Sequence, residues 1–282
     1  MEALRLLGDP GKTGSSMTRL DCLWATIAGW EAQRGNREAA DQAIQQARRS
    51  LDAFASKVRM EDQIKTGQQE RIDTAERHVR LAFGEEATVL TMSTAAIPRL
   101  EKEKQKALFA YEASLVLLSQ RGTLSQATLS ALKLNRLAEA ESTARALISL
   151  PLATSQGSTF SSLDRPDDLA WGRVLLAQAL VGQGRQAEAL MTLEPALALY
   201  REMKSNGATY LVFHQHLVRA LYVQALAQPT DAAGIARRRE SLAEAAKEIT
   251  GLSDEAGQLR DSKELQSWIA AAQKPDAEVK QP

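Results

Sequence analysis

The sequence predicts an all-α fold built from antiparallel helix pairs, and three features carry that expectation. Strong helix formers dominate, alanine alone being roughly a sixth of the chain. Aromatic residues are only 5% of its 282 positions, so strand formers are scarce. Hydroxyl and carboxylate residues stand where helices should begin, with glycine, asparagine or proline where they should stop. The interruptions are short enough to fold successive helices back on one another. At this length one or two domains with a continuous apolar core are expected.

The segment from Gly8 to Ser16 reads as loop, and Thr18 with Asp21 gives a capping-box-like start in which hydroxyl and carboxylate satisfy free amide donors. A first helix is expected from near Thr18 through Trp24, Ile27 and Ala28 to Gly35, and a second from Asn36 through Ala40, Ile44, Ala47 and Leu51. Only Gly35-Asn36 separates them. A longer polar helix is expected from about Met60 to Phe83, stopped by Gly84. Pro98 removes an amide and crowds the preceding turn, so it should end or kink whatever follows Glu85. Arg99 to Gln120 reads as a helix closed by Gly122, and Thr123 to Gln126 as a capping box opening a short one. Asn135 is then a turn and Leu137 to Leu150 a return helix closed by Pro151. The Ser, Thr and Gly-rich stretch from Ala153 to Ser162 reads as a boundary between two helical lobes. Beyond it, pairs are expected at Leu169 to Gly182 with Gln186 to Met203, and at Thr209 to Ala227 with Ala232 to Gly251. Asp261 to Glu264 caps a last helix through Trp268. The expected division is a flexible segment over 1–17, a lobe over 18–152, a linker over 153–163, a second lobe over 164–273 and a tail over 274–282.

Charge and cysteine content exclude several classes. Lys+Arg and Asp+Glu are 35 each, so there is no global basic field for nucleic acid or anionic lipid. The longest purely aliphatic run, Leu115 to Leu118, is far short of the roughly 18 apolar residues a bilayer demands. Cys22 is the single cysteine, has no Lys, His or second Cys nearby in sequence, and reads as a buried, inert thiol. Glu2 stands where a signal peptide would be basic, and Gly8-Asp9-Pro10 follows before an apolar region develops, which points to the cytoplasm. The same abrupt start followed by a Gly/Ser/Pro segment suits a piece of a longer protein whose upstream part would set the compartment.

Aligned on Gly35, Asn135 and Gly184, three frames share a grammar. Seven residues before the turn lie Ala28, Thr128 and Ala177, and one before those Ile27, Ala127 and Leu176. Five after it lie Ala40, Ala140 and Ala189; nine after, Ile44, Ala144 and Leu193; twelve after, Ala47, Leu147 and Ala196. Small residues let paired helices approach closely, while a larger apolar residue one turn away fills the space beside the contact.

This pattern resembles the tetratricopeptide repeat, a unit of about 34 residues with two antiparallel helices. Ala170 to Met203 is the best match and Asp21 to Lys57 the second, with Trp24 at the large aromatic position. The chain departs from the family in having Glu31, Ala131 or Leu180 where an aromatic is expected, in the irregular spacing of its frames, and in Pro195, which should kink the second helix of the best copy. The resemblance implies a right-handed superhelix, an α-solenoid whose first helices line a concave groove. It places Trp171, Val174, Gln178 and Val181 toward that groove in the best copy, and Cys22, Ala25, Gly29 and Gln33 in the first. The apolar members of these sets can equally pack on neighbouring helices. Gln178 and Gln33 are the stronger candidates, as amides able to bond a peptide backbone. The implied function is non-enzymatic binding of a protein or peptide, without cofactor, metal, nucleic acid or membrane. The alternative is self-association, as a homodimer, or docking within a larger signalling or regulatory protein.

Sharper signals reduce to structural explanations. Gly11-Lys12-Thr13 ends like a phosphate loop, but its first glycine would fall at Leu6 and no strand precedes it. His214 and His216, two apart on a helix, point in different directions and cannot share a metal, and His78 is isolated. Arg237 to Arg239 is followed at helical spacing by Glu240, Glu244 and Glu248 and reads as a charge-balanced face. Asp164, Asp167 and Asp168 cluster where a helix start favours negative charge.

Overall fold

The computed structural model describes residues 20–57, 62–107, 110–151 and 166–274. The described residues form twelve helices: α1 (Leu20–Gln33), α2 (Arg37–Lys57), α3 (Asp62–Ala82), α4 (Glu86–Lys106), α5 (Ala110–Lys133), α6 (Leu137–Ser149), α7 (Pro166–Gly182), α8 (Gln186–Ser205), α9 (Leu211–Ala227), α10 (Ala232–Thr250), the single turn α11 (Asp254–Gly257) and α12 (Arg260–Ala272). They pack as consecutive pairs. The first helix of each pair also packs on the first helix of the next, giving the series α1, α3, α5, α7, α9, α12. The expected start at Thr18, the phosphate-loop-like stretch, the Ala153–Ser162 linker and the tail from residue 275 lie outside the described residues.

One turn chemistry builds four of the hairpins. Gly35, Gly84, Asn135 and Gly184 all take positive φ, of 84°, 79°, 56° and 75°, a conformation open to glycine and tolerated by asparagine. At each turn the following amide reaches back five residues: Asn36 to Glu31, Glu85 to Arg80, Arg136 to Ala131, and Arg185 to Leu180, at 2.8–3.0 Å. The turn residue itself donates to Ala32, Leu81, Leu132 or Val181. This paired closure satisfies carbonyls that a helix end leaves open. The turns therefore recur about every 50 residues, and Gly84 supplies the copy missing from the three-frame alignment.

Close approach follows from the residues flanking these turns. Ala28 with Ala40, and Ala177 with Ala189, are completely buried within their hairpins. In the Gly84 copy the equivalent positions hold Arg77 and Val89, both also buried. Two large side chains replace two small ones, and α3 and α4 accordingly make the least contact of these four pairs. Helix α4 packs chiefly on α5 instead.

The apolar core is divided at the same place. One cluster joins α1, α2 and α3 through Ala28, Ile44, Leu51, Ile72 and Val79. The other runs from Leu90 on α4 to Ala272 on α12, continuous across the segment expected to separate two lobes.

Two expected breaks are corrected. Helix α5 passes unbroken through Gly122, Thr123 and Gln126. Gly122 is there because α3 lies close, an added Cβ coming within 3.3 Å of Thr74 Cγ2. The Thr123 hydroxyl and Gln126 amide bond Arg77 rather than capping a helix start. Pro98 does not end α4, and α8 likewise continues through Pro195. Both prolines are exposed, as are Thr94 and Met191 one turn earlier, so water can serve the carbonyls that lose an amide partner.

Candidate functional site

Helices α1, α3, α5, α7, α9 and α12 together line a partly open cavity of about 290 Å³. That volume sits at the lower edge of the range found for small-molecule sites. Its apolar wall comes from Leu81, Leu129, Leu265 and the rings of Trp171 and Trp268. Its polar groups include Gln33, His78, Ser125, Lys133, His216 and Arg219.

The first and last of the described helices meet at its edge. Gln33, at the end of α1, donates from Nε2 to Asp261 Oδ2 at 2.7 Å, and its Oε1 accepts the Asp261 backbone N–H at 3.2 Å. The residue before α12, Leu259, provides no side-chain cap, so Gln33 supplies one from the far end of the sequence. The same Nε2 lies 3.3 Å from His78 Nε2. Lys133 on α5 pairs with Glu264 at 3.0 Å, and the Arg260 guanidinium lies 4.9 Å from the Phe83 ring centre.

The aromatic wall is held in place. Trp171 Nε1 donates to Ser125 Oγ at 2.7 Å, and its indole stacks on His216 with centroids 3.9 Å apart and planes 11° from parallel. Against this wall lies Arg219, only 9% exposed. Its guanidinium carbon is 4.8 Å from the Trp268 ring centre and 5.6 Å from that of Trp171. Such contacts attract a cation through the ring quadrupole but use none of its N–H donors. Among the described residues no carboxylate comes within 4.0 Å of Arg219, and its buried Nε has no acceptor. Burial pushes the guanidinium below its ordinary range, opposed by the charges of Glu264 and Asp261. Those two carboxylates are already engaged by Lys133 and Gln33.

Of the residues singled out from sequence, Trp171 and Gln33 come together at this cavity. The Gln33 amide is engaged within the chain by the backbone and carboxylate of Asp261 on α12. Gly29 lies behind it, an added Cβ falling 3.7 Å from the His78 ring. Val174 is completely buried in the core. Gln178 and Val181 line a separate space of about 20 Å³, room for a single water, and the buried Gln178 Oε1 has no partner there. Cys22 is half-buried, with Arg71 Nη1 at 3.4 Å, and burial together with Asp21 raises its thiol pKa.

Arg219 was not singled out by the sequence pattern, although a signal exists. It is the one formal charge within the apolar helix Leu211–Ala227, where a cation must sit among buried neighbours. Compared with known protein families, curated proteins and solved structures, the chain finds no match.

Proposed function

We propose that the chain is a recognition module of the tetratricopeptide-like kind: a superhelix of hairpins that holds a partner's binding group in the hollow lined by its first helices, and performs no chemistry of its own. The observation that carries this reading is the convergence of the five first helices and α12 on one cavity lined by two tryptophans and hydrogen-bonding side chains. The repeated turn supports it, since stacking like hairpins puts equivalent faces side by side. The unit of about 50 residues is longer than the 34 of the repeat it resembles. Longer helices supply the difference: α3 and α4 have 21 residues each and α5 has 24. With the start of α12 bonded to the end of α1 through Asp261 and Gln33, the hollow suits a side chain or a chain end rather than an extended peptide.

The test is selection from a displayed random-peptide library against the full chain and against Leu129→Trp, which fills the hollow. Circular dichroism checks that the variant keeps its helices. Enriched peptides should bind the native protein and be lost on filling. An absence of enrichment, or peptides bound equally by both proteins, would overturn the reading.

A further inference from the structure

We infer that the hollow takes a carboxylate on a short apolar stem, with the carboxylate on Arg219 and the stem against Trp171, Trp268 and Leu129. The inference rests on the hollow being the binding site and adds the chemistry of what enters it. Its starting point is the contrast between Arg219 and Arg77, the most deeply buried arginine among the described residues. Arg77 spends its donors on four side chains, one of them a carboxylate. Arg219 is nine-tenths buried, and its guanidinium bonds none of the described residues. A cation taken from water without an anion or acceptors is costly, and the tryptophan faces offset only part of that. An anion arriving in the hollow would supply what is missing, and a planar carboxylate matches the guanidinium fork with two parallel N–H···O bonds.

The walls limit the rest of the ligand. A volume of about 290 Å³ leaves little beyond the carboxylate and a few carbon atoms or one ring. The lining beside Arg219 is aromatic and aliphatic, so the stem is apolar. Glu264 and Asp261 face the same space and disfavour a second negative charge on the ligand, which argues against a phosphate or a dicarboxylate. The carboxylate can belong to a free small acid or to the last residue of a peptide.

Calorimetric titration of the 282-residue chain tests this. The probes are phenylacetate and hexanoate with their neutral amides, inorganic phosphate as an anion without a stem, and acetyl-leucyl-phenylalanine with a free or an amidated C-terminus. The acids should bind with Kd of about 1 mM or tighter and at least about tenfold better than their amides. Phosphate should not compete. Arg219→Met should abolish the preference for acid over amide, and Arg219→Lys, which keeps the charge but not the fork, should restore only part of it. Preference for the free-terminus peptide over phenylacetate and hexanoate assigns the carboxylate to a chain end, and the reverse order to a small acid. Equal binding of acid and amide by the native protein, no binding by any acid, or an undiminished preference in Arg219→Met would overturn the inference. If library peptides are still lost on filling the hollow with Leu129→Trp, the recognition reading survives while the carboxylate does not. If no peptide depends on the hollow, it is the recognition reading that fails.

Discussion

Two buried arginines face opposite situations in this molecule. Arg77 lies where α3 meets α5, only 1% exposed, with Glu70 at 2.6 Å, Gln126 at 2.9 Å, and the Thr74 and Thr123 hydroxyls at 3.0 and 2.9 Å. The second oxygen of Glu70 accepts from Arg99, which reaches in from the surface of α4. Arg219 lies where α7, α9 and α12 meet, between two indoles and without an acceptor among the described residues. Both side chains are largely withdrawn from water, yet among the described residues only one guanidinium is compensated. A satisfied buried charge specifies how helices register, whereas an unsatisfied one is a standing demand for a partner.

The largest effect should come from breaking the satisfied site. Glu70→Gln keeps the shape of the side chain but leaves Arg77 buried without its anion, and stability should fall by about 3–5 kcal/mol in urea titration. A loss below about 1 kcal/mol would mean that the neutral amides and hydroxyls around Arg77 suffice, and the contrast with Arg219 would lose its force.

The same network accounts for what the sequence did and did not disclose. The helices and their turn residues were legible because Gly35, Asn135 and Gly184 take the backbone conformation their residue types favour, and because Ala40, Ala140 and Ala189 mark close contacts. The Gly84 hairpin escaped that grammar because Arg77 and Val89 occupy its small-residue positions. Thr123 and Gln126 imitate a helix start, since hydroxyl and amide side chains that bond a distant arginine look the same in sequence as those that bond a local amide. Trp171 and Gln33 were found through the repeat they resemble. Arg219 was not, because its significance lies in the absence of an acceptor, and that depends on α7 and α12 folding against α9.

A second comparison follows from the hairpins themselves. The pair α7 and α8 is in close contact, with Ala177 and Ala189 completely buried, while α3 and α4, with Arg77 and Val89 at the equivalent positions, make less contact. Ala189→Val should therefore cost about 1–3 kcal/mol through overpacking, although valine is the native residue at the equivalent position 89. Equal stability of Ala189→Val and the native protein in urea titration would show that the two pairs do not differ in closeness as the structure indicates.

The unsatisfied site should respond with the opposite sign. Arg219→Met removes a buried cation without stranding a counter-ion and fills similar space between Trp171 and Trp268, so the unliganded protein should gain about 1 kcal/mol. A fall in its urea midpoint would instead identify the cation–π contacts as a net structural asset. It would weaken the view that this arginine is held in reserve for a ligand.

The smallest effect comes from a carboxylate that resembles Glu70 in its partners but not in its surroundings. Glu141 on α6 accepts from Arg145, Gln183 and Arg185 at 2.7–3.1 Å, at the surface. Those bonds, led by that from Arg145, pull its pKa down to about 2. An unfolded glutamate titrates near 4.3, so the folded state prefers the ionised form. The stabilisation is fully present above the unfolded value and is lost as pH falls through the folded one. Water screens these partners, which limits the contribution to about 0.5 kcal/mol. The native protein should therefore exceed Glu141→Gln in urea midpoint at pH 7 by a small margin that closes as pH falls from about 4.5 to 2. A margin that stays constant over that interval would mean the arginines recognise the side chain's shape rather than its charge. Exposure would then not be what separates Glu141 from Glu70.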